Sequence, residues 1–258
     1  MNDQVFVSII MAAYNAEQTI KQSINSVLSQ SYADFELIVV NDCSSDKTRE
    51  IVVDYTKKDN RVRLINNKKN SGVSISRHNG LINSKGAWIA VLDSDDLWAP
   101  DKLKKQIDFV VQTSAKLVFT GSTYISNDGT SINWIFHVPT QISYKSLLKQ
   151  NFISNSSVLV EKSLYSDFES IGDQMHEDFA CWLKILRSGI MAYGIDEPLL
   201  VYRIAKKSKS GNKKKSAIMA WRTYRYIGLG LFQSFYYLMC YGITGIIKYY
   251  HINKNINN

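Results

Sequence analysis

The amino-acid sequence predicts an α/β fold, a mostly parallel sheet flanked by helices, and three observations carry that expectation. Short apolar runs rich in Val, Ile and Leu recur from residue 5 to about residue 126. The segments between them place apolar residues at helical spacing, the alternation expected of βαβ units. With 258 residues, 45% of them hydrophobic, the chain can bury one large core.

VFVSIIMA supplies the first strand. In NAEQTIKQSINSVLSQ, Ile20, Ile24, Val27 and Leu28 share one helix face, with Asn15 as the expected N-cap. FELIVV, VRLIN, AWIAVL and KLVFTG read as four further strands, NSGVSISRHNG as the third strand-to-helix connection, and PDKLKKQIDFVV as a helix. YISNDGTSINW reads as a hairpin, because Asn-Asp-Gly lies between two β-prone runs. Further on, HEDFACWLKILRSG is the clearest helix, Gly189 its stop, and MAYGI and LLVYR return as extended segments. The expected partition is 1–126 and 127–205 as two halves of one domain, then 206–258 as a basic, apolar helical tail.

Composition narrows the function classes. Of the Lys and Arg residues, 20 stand with all 23 acids up to Glu197 and eleven follow it, so the net charge of +8 belongs to the tail. Cys43, Cys181 and Cys240 lie far apart, which points to neither a disulfide framework nor a zinc site and fits a reducing, cytoplasmic setting. The N-terminal apolar run lacks a basic flank and reads as a strand, not a signal peptide. No G-x-x-x-x-G-K or G-x-G-x-x-G occurs, and His78, His137, His176 and His251 show no metal-ligand spacing.

In AWIAVLDSDDLWAP an apolar strand runs into Asp93, Asp95 and Asp96, whose like charges repel. Turn and helix-cap roles compete with cation binding for these acids. An EF-hand is excluded by Trp98 and Lys104 at its Gly and Glu positions, and an aspartyl phosphatase-like motif by Leu97. Ligands of open parallel sheets bind beyond the carboxyl ends of the strands. Tyr14, Asn15, Asn41, Asp42 and the aspartates fall there, and Arg77 adds a fixed cation. Glu177 and Asp178 open a helix, where they complement its dipole or one of them serves as a general base. The tripeptide NSS at Asn155 matches a glycosylation acceptor, which is irrelevant in a cytoplasmic chain.

Taken in order, VSIIMAAYNAEQTI, FELIVVNDCSSDKT, NSGVSISRHNG, VLDSDDLW, HEDFACWLKIL and YR resemble the family 2 glycosyltransferases of GT-A fold, bacterial cell-surface polysaccharide type (O-antigen, capsule, teichuronic acid). The match runs from residue 5 to about residue 203. The resemblance implies a donor half over 1–126 and an acceptor half over 127–205. Ala13, Tyr14 and Glu17 would border the nucleoside, Asp42 would accept the uracil imide hydrogen, and Arg77 would contact the diphosphate. Asp95 would ligate Mn2+ or Mg2+, with Asp93 near the ribose and a metal-bound water. Asp178 would be the base, supported by Glu177, and Arg203 would arrive from a mobile segment. Ala12 in place of Pro and His78 in place of Asn depart from the family pattern. The implied reaction moves a sugar, with inversion, from a UDP-sugar to a lipid-linked saccharide, expected to be carried on undecaprenyl diphosphate.

Ile227 to Ile247 carry no charge. Their semi-polar stripe of Gln233, Tyr237, Tyr241, Thr244 and Lys248, together with four glycines, favours an interfacial helix over a span. The expectation is therefore peripheral attachment to an anionic membrane on its cytoplasmic side, with a core or homodimer helix as the alternative. A truncation near Lys206 would then be soluble. A nucleic-acid or anionic-lipid binding module built on the Lys-rich run, and a nucleotidyltransferase, are competing functions; no nucleic-acid partner is expected.

Overall fold

The computed structural model describes residues 5–165, 172, 174–204 and 213–256, with Lys213 and residues 247–256 as backbone only. The first half alternates as the sequence predicts: β1 (Val7–Ala13), α1 (Ile20–Leu28), β2 (Phe35–Asn41), α2 (Thr48–Lys58), β3 (Val62–Asn66), α3 (Val73–Ile82) and β4 (Trp88–Val91). After the aspartates come β5 (Leu97–Trp98), α4 (Lys102–Thr113), β6 (Leu117–Ser126), β7 (Ser131–Phe136), β8 (Gln141–Ile142) and α5 (Tyr144–Lys149). A single helical turn at Asn155–Ser157 precedes β9 (Leu159–Glu161), α6 (Lys162–Tyr165) and α7 (Glu177–Arg187). The chain ends in β10 (Ala192–Ile204), α8 (Lys213–Tyr226) and α9 (Leu231–Ile256).

The strands form one sheet in the order β3-β2-β1-β4-β9-β6-β10-β5, with β7 on β6 and β8 on β10. From β3 to β4 every pair is parallel. Beyond β4 the sheet is mixed, because β9 runs antiparallel to both β4 and β6. Both faces are covered, so the early strands are apolar throughout. Ile9, Met11 and Leu92 pack with α1, α2 and α4 on one side, while Ile10, Ile89 and Val91 pack with α5, α7 and α8 on the other. At Gly80 of α3 an added Cβ would lie 2.6 Å from Ile10 Cγ2, so glycine lets this helix press against β1.

The Asn-Asp-Gly hairpin forms between β6 and β7, with Gly129 at φ +91°. MAYGI and LLVYR belong to one strand, β10, whose pairing with β6 shifts register on either side of Pro198. The tail is not an appendage. Met219, Ala220, Tyr224 and Ile227 are buried, and all but Met219 join the core cluster around α7. Tyr224 donates its hydroxyl to the Leu148 carbonyl at 2.8 Å. Lys206, Lys207 and Lys209, on which part of the basic-run expectation rests, lie outside the described residues.

Candidate active site

Loops from β1, β2 and β4 meet at the carboxyl edge of the parallel strands. Tyr14 is 51% exposed there, while Ala13 is buried and its carbonyl accepts the Asp42 N–H at 2.8 Å. Asn15 does not cap α1: its φ is +48°, and its Oδ1 accepts the Ser45 N–H at 2.8 Å. The chain leaves β1 through a loop, and the helix starts only at Ile20. Glu17 braces the same loop, its Oε2 accepting the Lys47 N–H at 3.0 Å. Asp42, almost fully buried, accepts from the Asn67 side chain at 2.7 Å and from the N–H groups of Ser71 and Gly72 at 2.9 and 2.8 Å. Its carboxylate therefore shapes the loop that leads into α3.

The three aspartates occupy different environments. They are not helix caps, since β5 separates them from α4. Asp93 keeps a third of its side chain exposed and pairs with Arg77. Asp95 is half-buried, and burial, followed by the charge of Asp93, pushes its pKa up to about 6. Asp96 turns inward to 1% exposure; burial and then Asp95 and Asp93 raise its pKa well above the carboxylate range, against the Arg203 N–H bonded to its Oδ1 at 2.9 Å.

Arg203, expected to arrive over the site from a loop, belongs to a strand. It lies within β10, opposite Ile125 of β6, and is 4% exposed. Its Nε donates to the Asp95 carbonyl at 2.8 Å and its Nη2 to Gln22 Oε1 at 2.7 Å, so it ties the acidic loop to α1. Arg77 is buried on α3, its Nη1 paired with Glu177 and its Nη2 with Asp93. Burial opposes this charge, but the two carboxylates outweigh it and raise the guanidinium pKa. Glu177 is thus enclosed, at 5% exposure. Asp178 beside it is half-buried, its Oδ1 accepting the N–H of Phe179 at 2.8 Å.

Asp93 and Asp95 concentrate negative charge at one strand end, and burial, with the charge of Asp93 second, holds the Asp95 carboxyl above its usual range. Two carboxylates completed by phosphate oxygens and water suit Mg2+ or Mn2+. Among the described residues no group of three or more His, Cys, Asp or Glu side chains is placed to hold a metal by protein ligands alone.

The fold is that of the GT-A glycosyltransferases. A crystal structure of Staphylococcus aureus TarS 1-349 in complex with UDP-GlcNAc matches with a TM-score of 0.70 at 19% identity, covering 90% of this chain and 70% of that one. The mannosyltransferase PcManGT from Pyrobaculum calidifontis, in complex with GDP-Man and Mn2+, matches with a TM-score of 0.69 at 16% identity, covering 93% and 69%. Within that class the chain belongs to glycosyl transferase family 2, whose profile matches residues 8–167. The Escherichia coli UDP-Glc:alpha-D-GlcNAc-diphosphoundecaprenol beta-1,3-glucosyltransferase WfgD is 36% identical over 98% of both chains. A Bacillus subtilis (strain 168) protein named for teichuronic acid biosynthesis as a glycosyltransferase, TuaG, is 37% identical over 88% of this chain and 90% of its own. The chain is accordingly a glycosyltransferase.

Two features escaped the sequence reading. Gln22 carried no signal beyond its place on a helix. The Asn155–Ser157 turn bonds to the Asp93 N–H and the Trp98 ring nitrogen, yet its only legible feature in the sequence is a glycosylation-like tripeptide.

Proposed function

We propose that the protein transfers a sugar from a UDP-sugar to a saccharide carried on a lipid diphosphate, with inversion at the anomeric carbon and with Mn2+ or Mg2+ bound. The convergence of Asp93, Asp95, Arg77, Glu177 and Asp178 at one sheet edge carries the reading. The name of WfgD states a UDP-Glc donor and a diphosphoundecaprenol acceptor. Asp93 and Asp95 would hold the cation, which offsets charge on the departing nucleoside diphosphate. Tyr14 would cover the nucleoside, with Ala13, Glu17 and Asp42 supporting its loops. Asp178 would take the proton of the attacking acceptor hydroxyl. Of the two acids at the start of α7 it is the one open to solvent, Glu177 being held by Arg77. Direct displacement by that hydroxyl inverts the configuration.

The attachment surface belongs to the same reading. No helix among the described residues is long and apolar enough to cross a membrane. On α9, Leu231, Phe232, Phe235, Met239, Ile243 and Ile246 are exposed, and Arg222 and Arg225 are exposed on neighbouring α8. An apolar stripe beside basic residues suits an anionic membrane surface on the cytoplasmic side, where a lipid-linked acceptor would lie.

The test is incubation with Mn2+ and a panel of UDP-sugars, with slow donor hydrolysis as the readout. One UDP-sugar should release UDP in the presence of Mn2+, and Asp95→Ala should abolish metal-dependent UDP binding. Release of pyrophosphate instead would mark a nucleotidyltransferase, and UDP affinity unchanged by Mn2+ in both proteins would remove the metal-ligand role.

A further inference from the structure

We propose that the Asn155–Ser157 turn is the positioning element of the active site, setting the plane of the Arg77 guanidinium and the path of the acidic loop; the inference rests on the glycosyltransfer reading. The turn joins α5 to β9 and packs against β4, β6 and β10. A connection needs no side-chain polar groups in the interior, where each must be satisfied. Here Asn155, Ser156 and Ser157 are at most 6% exposed.

Each of the three has a partner in or beside the site. With its amide oriented so that the oxygen faces the guanidinium, the arrangement that satisfies both groups, Asn155 Oδ1 accepts from Arg77 Nη2 at 3.0 Å and from Nε at 3.2 Å. A guanidinium is a planar fork, so fixing its Nε–Nη2 edge fixes the direction of every other N–H. Nη1 is thereby directed to Glu177 at the start of α7, and Nη2 to Asp93 at the end of β4. Ser156 holds both flanks of the acidic loop: its hydroxyl accepts the Asp93 N–H at 3.1 Å, and its carbonyl accepts Trp98 Nε1 at 2.7 Å. The Ser157 carbonyl accepts Gln106 Nε2 at 2.9 Å, anchoring the turn to α4. One short turn therefore connects the metal-binding end of the site to the helix that bears the base.

With the site's groups shared in this way, loss of the Asn155 oxygen frees the guanidinium plane and shifts Asp93 against α7. A misplacement of about 1 Å can lower turnover about a hundredfold. The experiment compares wild type, Asn155→Ala and Asn155→Asp in Mn2+-dependent turnover of the UDP-sugar, with kcat and KM separated and referred to folded protein. Asn155→Ala should lower kcat at least about tenfold with the donor KM within about threefold, and Asn155→Asp, which keeps an oxygen toward Arg77, should recover part of the loss. If Asn155→Ala fails to fold, Ser156→Ala, which deletes only the hydroxyl on the Asp93 N–H, carries the same expectation. An unchanged kcat, a loss carried wholly by KM, or an Asp variant no better than Ala would each overturn the positioning role. A wild-type protein that binds no Mn2+–UDP and turns over no sugar nucleotide would instead overturn the glycosyltransfer reading, and this inference with it.

Discussion

Adjacent acids in the sequence have different chemistry in the fold. Glu177 and Asp178 are neighbours in one helical turn, but successive side chains on a helix point about 100° apart, so one meets Arg77 and the other stays half-buried and open to solvent. Asp178→Asn should retain Mn2+–UDP binding and lower transfer within the range of about 10²- to 10⁴-fold that general bases contribute. Single-turnover transfer beside a UDP-binding assay measures both; a loss below about tenfold would move the role to Glu177. Lys102 makes a different prediction. Its Nζ is buried over the Trp98 ring at 3.9 Å and donates to Gln106 Oε1 at 2.7 Å. Burial lowers its pKa well below the usual lysine value, so between the folded and the unfolded values the folded state gives up a proton that the unfolded chain keeps. Across that window the unfolded state holds more protons, and stability from this group rises as the pH climbs toward the usual lysine range. Urea midpoints at about pH 7 and about pH 9.5 should show wild type gaining on Lys102→Met over that interval, and parallel pH responses would contradict the assignment.

At the scale of elements, the two faces of α9 meet different surroundings. Tyr237 and Tyr241, two members of the semi-polar stripe, pack against the core, and the large apolar residues face outward. The semi-polar face can pack inward because a tyrosine ring buries well while its hydroxyl stays near polar groups. Tyr241 stacks on Phe179 at 6.1 Å between ring centroids, and Phe232 is 93% exposed. Thermal melts should therefore separate two substitutions on one helix. Tyr241→Ala should cost a few kcal/mol of stability, as large-to-small changes at packed aromatic sites do. Phe232→Ser should change stability by less than about 0.5 kcal/mol while weakening liposome binding. Equal melting shifts in the two variants would refute the faces assigned here.

Across the whole molecule, the tail packs into the core, and the proposed membrane attachment would be a second role for it. Because Ala220, Tyr224 and Ile227 fill the core around α7, a chain cut near Lys206 should aggregate instead of remaining soluble, contrary to the expectation from sequence; sedimentation of the expressed fragment measures this. Flotation of the full chain should be stronger on anionic than on neutral liposomes and weaken with salt, each basic residue near the surface adding about 1 kcal/mol. Salt-insensitive flotation on both would exclude the electrostatic part, and concentration-dependent dimers without flotation would assign the outer face of α9 to a second copy. The sequence by itself determined the βαβ order of the first half, the hairpin at Asn-Asp-Gly and the clustering of Asp42, Asp93 and Asp95 at strand ends, because hydrophobic periodicity and turn chemistry are local. It also showed six motifs in family order. Tertiary structure alone decided that Arg203 is buried against the acidic loop, that Arg77 is shared between Asp93 and Glu177, that the Asn155–Ser157 turn supports both, and which face of α9 is covered. Those facts depend on partners 16 to about 180 residues apart in the chain, and a buried charge or an amphipathic helix takes its role from whichever group the fold brings against it.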